Sequence, residues 1–151
     1  MLRIKLGAGL IVIALIFSAV DKLNKSANYD PVLAQITYVS SSCYLQKEDR
    51  GVVTKTTTTT DKVSCETARK LHASHPAYTD MQVKGTVEAA FTYVSPVDNA
   101  SHRGTLTYPY EKYGKVAELS LGDKLPILAH KSHADKFDRD YDHMENLASS
   151  H

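Results

Sequence analysis

Arg3 and Lys5 stand ahead of an uncharged stretch from Leu6 to Val20, LGAGLIVIALIFSAV, and no other feature constrains the chain as strongly. Such a run behind two cations at an N-terminus is a membrane-targeting segment, so the folded part is built from the residues beyond Val20. Its fifteen residues lie at the upper limit of a signal-peptide core and below the roughly eighteen that mark a spanning helix, which leaves the choice to the cleavage site. A signal peptidase needs small residues at the last and third-last positions before the cut. Ending at Val20 offers Val, ending at Ala19 puts Phe17 third from last, and ending at Ala27 puts Lys25 there. An uncleaved anchor within residues 1–25 is therefore favoured, with a cleaved leader and a secreted product as the alternative. Arg3 and Lys5 are balanced by Lys22 and Lys25 across the segment. The N-terminal amine tips the orientation towards a cytoplasmic N-terminus and a domain facing the periplasm or cell exterior.

Behind that segment about 125 residues remain, enough for one domain with a modest core. The 18 Lys and Arg against 17 Asp and Glu leave no excess of positive charge to meet phosphates, so no nucleic-acid partner is expected. Nine Tyr and many Thr suit a pleated, half-buried surface better than a helix. Residues 26–34 read as a linker, because Asn28 and Asp30 precede Pro31. The folded domain is expected over 35–133, beginning with a hairpin: Gln35 to Lys47, a break at Glu48 to Gly51, then VVTKTTTTTDKV. Ser64 is an N-cap for a short helix over Cys65 to Ala73, with Cys65, Ala68 and Leu71 on its inward stripe. VKGTVEAAFTYV alternates, placing Val83, Val87, Ala89, Phe91 and Tyr93 on one face. A turn over Ser95 to Ala100 returns it through HRGTLTY. Val116 to Leu121 and Lys124 to His130 read as two further strands around Gly122-Asp123, and Pro126 requires the second to lie at an edge or to present its missing N–H outward. Residues 134–151 read as a short helical or frayed tail. The expected fold is mainly β with one short α-helix, a small antiparallel sheet or partly open barrel behind an N-terminal hydrophobic helix.

Cys43 and Cys65 are the only cysteines, and an even pair behind an export segment is expected to form a disulfide. With the hairpin turn near Asp49 and Arg50, Cys43 faces Thr56 and Thr57, so Cys65 reaches it only if the helix folds back across the hairpin. Other chemistry is weakly signalled. Asp138-Arg139-Asp140-Tyr141-Asp142 opens like a calcium loop, but His143 and Ser149 occupy positions that need Gly and Glu. His72/His75 and His130/His133 have a spacing that suits a metal on a helix, yet His75 precedes Pro76 and His130 ends a strand. Asp98, Ser101 and His102 supply the residue types of a catalytic triad within too few residues to form an oriented relay. Neither a phosphate-cradling loop nor a nucleophile elbow is present. No metal, cofactor or catalytic residue is expected.

Thr92 to Asp98, His102-Arg103-Gly104 and above all Gly122 to Lys131 resemble a family of uncharacterised bacterial membrane-anchored proteins, over roughly residues 86 to 133. Its extracytoplasmic β domain has a Tyr-rich strand, an Asp turn and a Gly-Asp turn before the last strand. Ala134-Asp135 departs from its usual Pro-containing close. The resemblance implies fold and location, and the family carries no assigned activity or site residues. The expected function is a noncatalytic, membrane-tethered envelope module whose partners are the membrane, through the N-terminal helix, and another envelope protein. The alternatives are a hydrolytic or metal-assisted enzyme assembled by the fold, and a small secreted inhibitor or immunity-type protein.

Overall fold

The computed structural model describes residues 25–50 and 54–147. The N-terminal apolar run lies outside them, and among the described residues no helix is long and apolar enough to cross a membrane. Strand β1 (Tyr29–Arg50) runs into β2 (Lys55–Thr59), helix α1 (Cys65–Ser74), β3 (Gln82–Val94) and β4 (Ser101–Pro109). Helix α2 (Tyr110–Tyr113) and a 3-10 turn over Gly114–Glu118 lead to β5 (Lys124–His130), β6 (Phe137–Arg139) and α3 (Tyr141–Leu147). The strands form one open antiparallel sheet in the order β4-β3-β1-β5-β6, with β2 paired to β1.

β1 is the spine. Its first part pairs with β5 from Tyr29 opposite His130 to Gln35 opposite Lys124. Its middle pairs with β3 from Gln35 to Gln46, and its end with β2. A β-bulge between Ile36 and Tyr38 inserts one residue, and the inward side chains change parity there. Ala34 and Ile36 are buried before it, Cys43 and Leu45 after it. Val87, Ala89, Phe91 and Tyr93 of β3, Leu106 and Tyr108 of β4, and Leu125, Ile127 and Ala129 of β5 complete the core, with Val116 and Met144 packed on them.

The alternation in β3 and the cap of α1 are as expected: the Ser64 side chain accepts from Thr67 N at 3.2 Å. Several expectations are corrected. The stretch expected as a linker already belongs to β1 from Tyr29, because Pro31 fits the ladder. Lys131 N donates to Asn28 O (2.8 Å), and continuing that register turns the Pro31 nitrogen away from β5. Val116 to Leu121 is not a strand; a 3-10 turn seats Val116 in the core instead. Of the two arrangements expected for Pro126, β5 does not take the edge, since the stretch expected as a tail adds β6 beyond it, but β6 pairs only with Ile127 to Ala129 and leaves Pro126 outside that ladder. Among the described residues, residues 25–28 are also helical and α2 is a helix that the sequence did not signal, while α3 lies in the stretch expected as a short helical tail.

The hairpin register also differs. β1 continues to Arg50, Glu48 faces Thr57, and Cys43 bridges Val63. Val63 lies two residues before Cys65, so the helix has no need to fold back, and the Cys43–Cys65 disulfide forms with a Cα–Cα distance of 4.7 Å. Both cysteines are buried with Ala68 against Val63, Val83 and Tyr110. Closing this loop removes roughly 3 kcal/mol of unfolded-state entropy in the chain-entropy model. Gly85 makes the approach possible: a Cβ there would stand 2.6 Å from Cys43 Sγ.

Phe91→Ala should lower unfolding free energy by about 3 to 5 kcal/mol in denaturant titration, and Lys84→Ala by less than about 1 kcal/mol. Alkylation of unfolded, unreduced protein should label neither cysteine, whereas Gly85→Val should leave a labelled fraction, read by mass.

Candidate functional site

Where β1 enters the sheet, a groove of about 440 Å³ opens between the start of β1, β5 and the β6–α3 junction. Its apolar walls come from Tyr29, Pro31, Leu128 and Tyr141. Pro31 and Leu128 are cross-strand partners, so the register of the β1–β5 ladder itself builds the floor. Arg139, Asp140 and His143 supply the polar rim. This volume falls in the range of small-ligand clefts.

Arg139 is the last residue of β6, and its guanidinium reaches back over the core. Nε donates to Thr107 O at 2.8 Å, and the group lies 5.8 Å from the Tyr108 ring centroid. That contact ties β6 to β4, the two ends of the open sheet. Behind it the Tyr108 hydroxyl is buried without a hydrogen-bond partner among the described residues. Burial drives its pKa well above the ordinary tyrosine value, so it stays a neutral donor.

Asp140 is almost fully buried and caps α3. Its Oδ1 accepts from His143 N (3.2 Å), and its Oδ2 lies 2.7 Å from His143 Nδ1. An acid orienting an imidazole is half of an acid–base device. The same geometry is also that of an N-cap fixing the third residue of its helix. Asp138, next along, faces the other way and meets Lys25 Nζ at 2.7 Å. Burial raises its pKa, but the Lys25 and Arg139 N–H contacts outweigh burial and hold it below the ordinary carboxylate range. The acidic stretch that opens like a calcium loop is thus divided between an ion pair and a helix cap.

The other sequence candidates fall elsewhere. His130 and His133 stack edge-on with centroids 4.7 Å apart, beside Tyr29. His72 and His75 belong to α1 and its C-cap, stapled to β1 at Cys43. Roughly 45 Å of extended strand separates Tyr29 from Cys43, so the two pairs stand at opposite ends of the sheet. Among the described residues, no three His, Cys, Asp or Glu side chains converge as metal ligands. Asp98 and His102 do meet, Oδ2 to Nε2 at 2.8 Å, and Asp98 also accepts from Ala100 N at 3.0 Å. The Ala100 N–H, then His102, lower the Asp98 pKa, a pattern that closes the β3–β4 turn. Sequence reasoning misses the groove because its rim lies in the stretch expected as a tail and half of its floor, Tyr29 and Pro31, in the stretch expected as a linker.

No family model, curated protein or solved structure matches the chain.

Asp140→Ala should lower stability by about 1 to 2 kcal/mol, while Asp140→Asn, which preserves the cap, should cost less. Equal losses in denaturant titration would show that the contact to the His143 ring, rather than the cap, is what matters.

Proposed function

We propose that the protein is a noncatalytic, membrane-tethered envelope module that holds an apolar-bodied ligand or the side chain of another envelope protein in the groove beside Tyr29. The observation that carries this is the pairing pattern of the groove. Its floor is apolar, and of the three acids that line it two have structural duties: Asp140 caps α3, and Asp30 lies 3.5 Å from Lys131. Such a surface suits retention of a ligand better than transformation of one.

Location supports the same proposal from two sides. The buried Cys43–Cys65 disulfide is consistent with an oxidising compartment outside the cytoplasm. Lys25 lines the groove only a few residues after the apolar run ends at Val20, so a tether there places the groove close to the membrane.

The test uses the full chain in its native host, with a photoreactive benzoylphenylalanine replacing Leu128 and, as a control, Thr58 on the exposed β2. Adducts of discrete mass in the membrane fraction from the Leu128 position, absent from the Thr58 position, are the expected outcome. Recovery of the chain in the soluble fraction, or no excess of adduct at Leu128, would overturn the proposal. Leu128→Arg should abolish the adduct formed through a photoreactive residue at Tyr141, since a cation then occupies the apolar floor.

A further inference from the structure

The outer face of the sheet, opposite the core, has a layout that the groove alone does not explain. In the first part of β1 the core takes the even-numbered residues, so the odd-numbered ones point outward. Leu33 is 65% exposed, and after the bulge Tyr38 is 63% exposed on the same side. Leu33 pairs with Pro126 of β5. On its other flank, Gln35 faces Thr92 of β3, so one pleat further along the two strands Val94, 57% exposed, lies beside Leu33. Val94 and Leu33 thus form an exposed apolar band across β3 and β1, flanked by the buried Pro126, which leads through Leu128 to the floor of the groove. An apolar surface of this kind marks a contact site.

Cations border the band. The row beside it reads Lys124, Gln35, Thr92, Arg103 across β5, β1, β3 and β4. Lys124 and Arg103 are exposed, and neither has an acidic partner among the described residues. Glu88, the carboxylate of β3 on this face, sits roughly 13 Å along the strand from Thr92. An apolar band edged by Tyr and by unpaired cations is the pattern of a surface resting on an anionic bilayer.

We propose that this outer face, centred on Leu33 and Val94, lies on the lipid surface of the membrane that the N-terminal segment enters. The inference rests on the tether proposed above. The tether also argues for the occupant: the apolar run ends at Val20, thirteen residues before Leu33, which keeps the band within reach of the bilayer. Tyr38 then sits at the edge of the contact, where its ring meets lipid and its hydroxyl meets water.

The chain has no Trp, so Leu33→Trp, Val94→Trp and Thr58→Trp each introduce a single fluorescent probe at an outward position. Each full-length variant is reconstituted into phosphatidylcholine vesicles containing phosphatidylglycerol, with or without lipids brominated along the acyl chain. Emission from positions 33 and 94 should be blue-shifted relative to position 58. Brominated lipid should quench it at least about twofold, as for a face sunk roughly 5 to 10 Å into the interface. The double substitution Lys124→Glu and Arg103→Glu should reduce that quenching while the chain still floats with the vesicles. If the chain floats but positions 33 and 94 are quenched no more than position 58, the surface contact is wrong and the tether stands. A blue shift without quenching means that a second copy or another protein covers the face, and also overturns the proposal. Failure to float removes the tether and the contact together.

Discussion

The one-residue offset between Ile36 and Tyr38 decides what the longest strand contributes to the protein. Without it, β1 would keep one parity throughout. Aligning Ala34 and Ile36 with the core would then turn Cys43 and Leu45 outward. The bulge lets a single strand serve two partners on the same face, β5 against its first part and β3 against its middle. Both ladders, the disulfide and the seating of α1 depend on that change of parity. It also presents Thr37 and Tyr38 consecutively on the outer side, which regular pleating does not allow.

Phe91 stacks edge-on against Phe137 with centroids 5.3 Å apart, and Tyr93 against Phe137 at 5.7 Å, so the short β6 adds aromatic area out of proportion to its three residues. Tyr93 Oη donates to Ala134 O at 2.7 Å, fixing the loop before β6. These contacts explain why residues without regular apolar spacing are part of the fold. Phe137 and Met144 are isolated apolar side chains in a polar stretch, and each fills a space left by other elements.

That is also where the sequence is least legible. β3, β4, β5 and α1 are readable because each carries its own periodicity, cap or turn residues. Ser64 caps α1, Ser95 to Ala100 turn the β3–β4 hairpin, and Gly122 takes φ 93° before β5. The cysteine pairing is readable from count and compartment, but its register is not, since five Thr in succession offer no landmark for strand pairing. β6, α3 and the early part of β1 draw their stability from distant partners. Val116 illustrates the limit: its neighbours alternate like a strand, yet its burial is set by the β3 surface beneath it. The groove inherits that limit, because Tyr29, Leu128 and Asp140 come together only through pairing across about a hundred residues.

The position of the disulfide on β1 also has a mechanical meaning. Tension applied at the N-terminus enters the domain at Tyr29 and travels along the axis of β1. It first loads the ladder with β5 and then that with β3, in shear, where many backbone hydrogen bonds share the load. At Cys43 the covalent bridge offers a direct route to Cys65, bypassing the arm formed by the end of β1 and β2. That Thr-rich arm therefore carries none of the load, and it remains free to change length or sequence without altering how the domain resists a pull on its N-terminal end.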